Sequence, residues 1–307
     1  MTTFTIIFPI IFVVAAGYLV ARSQFLSESQ ISGLSRLTFS LIMPIFLFIN
    51  MATADLDNIF NFKLFATFYL PVVLIYGLSM LWHYFYAAEQ SHQFAPASVF
   101  ALATGYSNLV LVGLPITIAA LGEQALGPVF MLISFHGVTL FGSTIVLCAI
   151  GSGERFSALD TLKKVCSNPI VGSIWLGLGI NFIGLRLPEV LITSLRFLAK
   201  PGITLALIVL GTALHAYSVK GKIGQIGAVT VIKLLVFPLL VWWFAGIFGL
   251  SQQLTTIAVL LSASPTGVNA YLIATGQECH EALIASTVVV STVLCVVTFS
   301  GWLAVLL

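Results

Sequence analysis

The sequence predicts an all-α polytopic membrane protein with about ten transmembrane helices. Its residues are 59% hydrophobic and 7% charged, and the mean hydropathy of +1.11 is far above that of soluble proteins. The apolar stretches are each close to the ~20 residues that a helix needs to cross a bilayer. Two of them are interrupted near their middles by glycine, proline and asparagine. This composition leaves no room for a soluble domain, and a net charge of +2 without a basic run gives no reason to expect a nucleic-acid partner.

The apolar stretches follow one another with short connections. The first lacks the basic region of a cleavable signal, so we expect it to remain as a span. The stretch that begins at residue 190 is the least regular, because Arg196, Lys200 and Pro201 lie near its start. The predicted stretches are 4–20, 34–52, 64–87, 98–121, 126–150, 169–187, 190–215, 226–249, 254–275 and 282–306.

The distribution of lysine and arginine predicts that both termini lie outside a plasma (inner) membrane. The longest polar connector, 151–167, is then cytoplasmic. On the outer side lie Lys63 and Arg186, with Arg196 and Lys200 close to that surface. The inner connections carry the larger set, namely Arg22, Arg155, Lys163, Lys164, Lys220 and Lys222.

Proline and arginine recur with the same spacing in the two halves of the chain. Arg36 follows Pro9 by 27 residues, and Arg196 follows Pro169 by 27 residues. Chance could produce this spacing, and the matched interrupted stretches are the stronger sign of a duplication. Five spans in each half would force the second half to be inverted in the membrane. The predicted division is a first five-helix repeat over 1–150, a loop over 151–167 and a second repeat over 168–307.

The fourth and ninth stretches contain the interruptions. Broken helices survive in a bilayer only where they line a cavity or are buried in protein. Such breaks at matching places in two halves point to the substrate site of a transporter. In the ninth stretch we expect Ser264 to cap a half-helix that begins at Pro265. In the fourth, we expect Gly113 and Pro115 to act similarly.

The polar residues at these breaks are candidate substrate contacts. Half-helix N-termini carry partial positive charge and free N–H groups, which suit an anionic oxygen. Asn108 and Asn269 can add side-chain donors and acceptors. Ser107, Thr266 and Tyr106 are nearby polar candidates. The alternative is that the breaks are kinks and the asparagines join helices; the occurrence of both breaks at matching places favours the site.

Other polar groups within the spans are few. No carboxylate lies in a span core, which argues against a carboxylate-coupled mechanism. Lys233 could contact an anion or bridge to the crossing, but its depth favours snorkelling to the inner surface. His136 could relay protons, although a hydrogen-bonded structural role is the better interpretation. The four cysteines show neither a disulfide framework nor metal spacing, so we expect no cofactor, no metal and no catalytic group.

The segments Tyr106–Pro115 and Ser264–Asn269 resemble those of the auxin efflux carrier family. That family includes bacterial malonate and other organic-acid permeases and plant PIN-type carriers. The resemblance covers essentially the whole chain. It implies ten helices in two inverted five-helix repeats, with broken fourth and ninth helices that cross. It also implies a dimerising scaffold of spans 1, 2, 6 and 7, with the remaining spans forming a moving transport part.

The resemblance also implies roles for individual residues. Pro115 and Pro265 would mark the crossover, while Asn108 and Asn269 would contact substrate. Asn50, at the end of the second stretch, would be a support-site contact. The short central loop departs from the long regulated loops of many plant members, which argues against auxin as the substrate.

The resulting expectation is a secondary transporter of a small organic anion, malonate or a related carboxylate, with elevator-type alternating access. One alternative is a sodium-coupled symporter of the bile-acid type, which needs clustered carbonyl and hydroxyl ligands for its ion. Another is an intramembrane enzyme, which needs a catalytic dyad or paired carboxylates. A channel is a further alternative, and two inverted crossed helices fit it less well than alternating access.

Overall fold

The computed structural model describes residues 3–54, 61–87, 92–152, 169–216 and 219–307, and this part of the chain is helical without any β-strand. The predicted loop over 151–167 lies outside the described residues from position 153 onward. The α-helices are α1 Thr3–Arg22, α2 Glu28–Leu37, α3 Met43–Ala52, α4 Phe62–Tyr86, α5 Phe94–Gly105, α6 Leu114–Leu121, α7 Leu126–Ser152, α8 Pro169–Phe182, α9 Glu189–Ala199, α10 Gly202–Ala216, α11 Ile223–Val231, α12 Phe237–Phe248, α13 Gln252–Ser262, α14 Asn269–Gly276 and α15 Glu281–Leu306.

Seven continuous helical segments among the described residues are long and apolar enough to cross a membrane. They are Phe4–Arg22, Glu28–Ala52, Phe62–Tyr86, Glu123–Gly151, Glu189–Ala216, Ile223–Phe248 and Glu281–Leu306. Shorter apolar helices cover Phe94–Gly105, Leu109–Leu121 and Pro169–Phe182. The prediction of an all-α polytopic membrane protein is thereby confirmed.

Three of the helical segments contain a π-helical turn that ends two positions before a proline. The turns are Thr38–Ile42, Leu109–Gly113 and Ile232–Val236, followed by Pro44, Pro115 and Pro238. Proline lacks an amide hydrogen, and its ring collides with the carbonyl four residues earlier in a regular helix. A wider π-turn relieves that collision and rotates the side chains that precede it. The third of these turns contains Lys233.

Glycines bring two helix pairs into backbone contact. Helix α1 packs on α10, where a Cβ on Gly17 would overlap the Ile208 carbonyl, and one on Gly211 would overlap the Val14 carbonyl. Helix α3 packs on α8, where a Cβ on Gly177 would lie 2.6 Å from the Phe48 carbonyl oxygen. Small residues permit this close approach in membranes, where dispersion replaces the hydrophobic effect as the main attraction between helices.

The buried interior is polar near the two interrupted stretches, whereas the outer surface is apolar. Large apolar side chains such as Val73, Leu78 and Trp243 are exposed on the outside of the bundle. Ser107, Thr266 and Lys233 are fully or almost fully buried. This inversion of the soluble pattern is the arrangement that a hydrocarbon solvent favours.

Candidate functional site

The two interrupted helices meet at their breaks and form a crossing there. Ser107, between α5 and the turn Leu109–Gly113, forms an antiparallel β-bridge with Thr266, between α13 and α14. The Asn108 N–H donates to the Pro265 carbonyl at 2.8 Å, and the Gly267 N–H donates to the Tyr106 carbonyl at 3.0 Å. Each break thus supplies partners for backbone groups that the other break leaves without helical ones.

The second half-helix does not begin at Pro265, so that prediction is wrong. Pro265 lies outside any helix, and helix α14 begins at Asn269. Ser264 is not its cap, because its hydroxyl donates back to the Leu260 carbonyl at 3.3 Å. A proline fits the bridge because its carbonyl is needed there while its missing N–H is not.

The helix after the first break also begins earlier than predicted. It resumes at Leu109, and Asn108 caps it by accepting the Leu111 N–H at 3.4 Å. Gly113 and Pro115 therefore lie inside the resumed helix and do not start it. Asparagine is among the best capping residues, and this explains why the chain returns to helix directly after it.

Glycine is required at two points of the crossing. A Cβ on Gly113 would lie 2.6 Å from the Ser264 hydroxyl, and a Cβ on Gly267 would overlap the Tyr106 ring. Gly113 and Ser264 therefore form the contact between the resumed first helix and the second break. Only a residue without a side chain allows the backbones to approach this closely.

Thr266 fixes the crossing to helices on both sides. Its hydroxyl donates to the Ala103 carbonyl at 3.0 Å, and its N–H donates to the Ser291 hydroxyl at 3.1 Å. The first contact satisfies a carbonyl in the last turn of α5, which has no intrahelical partner. The second joins the crossing to α15.

Lys233 is turned into the crossing. It is 0% exposed, and its ammonium donates to the Ser107 hydroxyl and to the Ser262 carbonyl, both at 2.7 Å. Snorkelling to the inner surface, the interpretation favoured from sequence, is therefore wrong, and the alternative of a bridge to the crossing is found instead. The sequence has no aspartate or glutamate between residues 190 and 277, and Lys233 makes no ion pair with any described residue.

His136 supports the first break from α7. Its Nε2 accepts the Ser107 N–H at 2.9 Å, and its ring stacks on Tyr106 with centroids 5.1 Å apart. A nitrogen that accepts a backbone N–H carries no proton of its own, so this imidazole is neutral with its proton on Nδ1. The geometry agrees with a structural histidine rather than a charged one.

The chain matches the family described as membrane transport protein over residues 2–158 and 154–303. It belongs to the auxin efflux carrier family. A protein of Rhizobium meliloti named "Putative malonate transporter" is 23% identical over 97% of this chain and 94% of its own length. The "Uncharacterized transporter YfdV" of Escherichia coli K12 is 24% identical over 99% of this chain and 98% of its own length. The "Lysosomal cholesterol signaling protein" of Mus musculus is 22% identical over 95% of this chain and 36% of that longer protein.

The asparagines of this auxin efflux carrier family member occupy different settings. Asn108 is 6% exposed, and its Nδ2 has no hydrogen-bond partner among the described residues. Asn269, the first residue of α14, is half-buried and lies within hydrogen-bonding reach of the Tyr106 hydroxyl. Asn50 donates to the Phe46 carbonyl at 2.7 Å within α3. The structure thus brings Asn108, Asn269 and Tyr106 together and leaves Asn50 bonded within its own helix.

A cavity of about 420 Å³ in this family member reaches the resumed fourth stretch at Val112 and Ile116. It lies between α1 and α10 on one side and the resumed fourth stretch and α15 on the other, and its walls are mostly apolar. Thr292 contributes a buried hydroxyl that has no partner among the described residues. Cys295, one turn further along α15, lies within electrostatic reach of Lys233.

Sequence reasoning missed Ser262 and Ser291, and it did not identify the partner of His136. Ser262 acts through its backbone carbonyl, which no side-chain pattern can signal. Ser291 contributes a hydroxyl to a backbone N–H in another helix, and serine is too common in membrane helices for that to be recognised from sequence. His136 was expected to have a hydrogen-bonded structural role, but its partner Ser107 lies 29 residues away in the chain.

Proposed function

We propose that this family member is a secondary transporter that binds a small organic anion at the crossing of its two broken helices. The observation that carries the proposal is the fully buried Lys233 ammonium, which joins both breaks without a carboxylate partner. A buried charge is costly unless it is compensated. The Asn108 Nδ2, next in the chain to Ser107 and without a hydrogen-bond partner among the described residues, is a further donor for an anionic oxygen. An anion is the ligand that satisfies both groups.

The leading substrate is malonate or a related carboxylate, because one relative carries a malonate transporter's name. The mostly apolar cavity favours a second candidate, a monocarboxylate with an apolar body. One ammonium pairs with one carboxylate, while the second carboxylate of malonate would need donors such as Asn108 and Asn269. The two candidate substrates differ in the part of the molecule beyond the first carboxylate, which would contact apolar side chains in one case and polar donors in the other.

The proposed architecture is ten spans in two inverted repeats, 1–150 and 168–307. Counting each interrupted stretch once, the seven long segments, Pro169–Phe182 and the two interrupted stretches give ten. The glycine-mediated helix pairs join spans 1 and 7 and spans 2 and 6. An operation that exchanges the two halves would convert one pair into the other, which supports the repeat.

The proposed motion is of the elevator type. The tightly packed pairs α1–α10 and α3–α8 would form a scaffold that dimerises, and the crossing helices would move with the bound anion. The cavity supports this division, because scaffold helices line one side of it and transport helices line the other. We further propose an inner-membrane location with both termini outside.

The contacts of Lys233 argue against two alternatives, a sodium-coupled symporter and an intramembrane enzyme. A sodium-coupled symporter would need the oxygens at the crossing for its ion, and Lys233 already engages two of them. The pair of Ser107 and Lys233 also resembles the dyad of some hydrolases. Here the ammonium donates to both the Ser107 hydroxyl and the Ser262 carbonyl, so it acts as a hydrogen-bond bridge rather than a free base.

The proposal is tested with purified protein in liposomes. Uptake of radiolabelled malonate and of labelled monocarboxylates of increasing apolar size is measured against protein-free liposomes under an imposed membrane potential. Saturable uptake of at least one carboxylate is expected. Absence of uptake of every carboxylate, by protein that remains folded in detergent, would contradict the proposed function. Flux per protein at the level of free diffusion would instead indicate a channel.

A further inference from the structure

The side-chain nitrogen of Lys233 lies between the two broken helices. The Lys233 ammonium contacts the Ser107 hydroxyl and the Ser262 carbonyl at the same distance, 2.7 Å. Ser107 lies in the extended segment of the first break, and Ser262 is the last residue of α13 at the edge of the second. Oxygens from both breaks therefore converge on one positive charge.

These oxygens are of the kind that bind monovalent cations in membrane carriers. Transporters with discontinuous helices coordinate sodium through unwound carbonyls and the C-terminal ends of half-helices. The Ser262 carbonyl is at such an end, where the last carbonyls lack intrahelical partners and carry partial negative charge. The Ser107 hydroxyl adds a second neutral oxygen.

We propose that the Lys233 ammonium is a tethered cation that takes the position of a coupling sodium ion at this crossing. The inference rests on the proposed function, because it concerns how the same site is held together. The ammonium supplies the charge and the hydrogen bonds without leaving the protein. The carrier therefore binds and moves its anion without sodium from solution.

One neighbour favours a charge on Lys233, which has no acidic partner among the described residues. The Phe237 ring lies with its centroid 4.6 Å from Nζ, and an aromatic face attracts an ammonium. The titratable groups that face Lys233 are His136, behind Ser107, and Cys295 on α15. The imidazole is neutral and a thiol adds no fixed negative charge, so neither competes with the substrate as counterion.

One donor of the ammonium has no oxygen acceptor among the described residues. An ammonium has three N–H donors, and the described residues accept two of them. A carboxylate that takes the third would complete the shell of Lys233 and gain a charge-assisted hydrogen bond. The positive charge of the protein would then meet the negative charge of the substrate at the crossing. A sodium-coupled carrier would instead take its cation from solution.

The first arm of the test uses the wild-type protein in liposomes with the carboxylate that gives saturable uptake. Sodium is replaced by N-methylglucamine on both sides while the membrane potential is held constant. We expect uptake rates to agree within about twofold between the two buffers. Uptake that requires sodium overturns the tethered-cation inference while leaving the proposed transport function intact.

The second arm uses substitutions that separate volume from charge. Lys233→Ala leaves room at the crossing, and we expect at least tenfold lower uptake without sodium and partial recovery with sodium or methylammonium. Lys233→Met fills the same room without a charge and should lose uptake without recovery. Lys220→Ala, at an exposed loop position, is the matched control and should behave as wild type.

A readout that does not depend on transport keeps the test decisive. Melting temperatures in detergent are measured with and without sodium. Sodium should raise the melting temperature of the Lys233→Ala variant and leave that of wild type unchanged. Sodium-independent uptake by Lys233→Met contradicts the inference, as does a sodium-induced shift in the wild type. If neither variant folds, the wild-type sodium replacement still decides the question.

Discussion

The Lys233 ammonium donates a 2.7 Å hydrogen bond to the Ser107 hydroxyl, although 126 residues separate the two in the chain. Through this contact and the one to the Ser262 carbonyl, a helix outside the crossing holds both broken helices. Lys233 lies in the π-turn Ile232–Val236 that precedes Pro238, and a turn of this pitch changes the direction of the side chains on it.

The two crossing asparagines should be needed for substrate recognition. Asn108→Ala and Asn269→Ala are each expected to reduce affinity or flux at least tenfold, because a hydrogen bond to a charged ligand contributes about 1.5–3 kcal/mol. The measurement is the concentration dependence of liposome uptake. Asn50→Ala, whose parent side chain bonds within α3, is the matched control and should lose less. Near-normal uptake by both crossing variants would mean that these asparagines only join helices.

Gly113 should be irreplaceable while Ser264 is present. Gly113→Ala would place a Cβ 2.6 Å from the Ser264 hydroxyl, so we expect a lower melting temperature and lower uptake. The double variant Gly113→Ala/Ser264→Ala removes that hydroxyl and should recover part of the loss, a coupling that a double-mutant cycle measures. Gly301→Ala, with nothing within 4 Å of the added atom, is the control. Additive effects of the two substitutions would contradict this contact.

The proposed orientation of the protein in the membrane is tested by the accessibility of introduced cysteines to a labelling reagent. Single cysteines at Arg186 and Lys220 are introduced into a protein whose Cys166 and Cys279 have been replaced. An impermeant maleimide should label position 186 in intact cells and position 220 only after permeabilisation, because the positive-inside rule places 220 in the cytoplasm. The opposite labelling pattern would invert the topology.

The moving-part proposal predicts that a bridge across the cavity arrests transport. Cysteines at Ile11 on α1 and Val296 on α15, which line opposite walls, are joined by mercuric ion. We expect uptake to stop while substrate-induced thermal stabilisation remains. The control pair, Ile11 and Leu210, lies within the scaffold and should tolerate the bridge. Full turnover with α1 and α15 bridged would contradict the elevator motion.

The carboxylate should cross as a net anion driven by its own gradient and by membrane potential. No carboxylate of the protein lies in a span core to carry a compensating proton. Moving one charge across 100 mV contributes about 2.3 kcal/mol, enough to bias flux roughly fiftyfold. Potential, pH gradient and sodium gradient are imposed one at a time on loaded liposomes. Accumulation that follows only the pH or sodium gradient at zero potential would refute transport of the carboxylate as a net anion without a coupling ion.

Much of the fold could be predicted because hydropathy is a local property. Apolar stretches near twenty residues long are helical in a bilayer whatever their neighbours, since each satisfies its own backbone groups. The interruptions were also visible, because glycine, proline and asparagine disturb a helix by their own chemistry. The positions where the half-helices begin could not be predicted. Pro265 does not start a helix, and its carbonyl accepts the Asn108 N–H from the other break.

The sequence by itself determined the class of the protein, its interrupted stretches and most of the polar residues at them, including Ser107, Asn108, Thr266 and Asn269. Only the tertiary structure decided that Ser107 and Thr266 pair, that Asn108 caps the resumed helix, and that Lys233 points inward. The physical reason is that a buried lysine or an unwound backbone takes the conformation that satisfies its hydrogen bonds. Ser107 and Thr266, and likewise Lys233 and Ser107, lie more than a hundred residues apart in the chain, and no local pattern specifies such pairs.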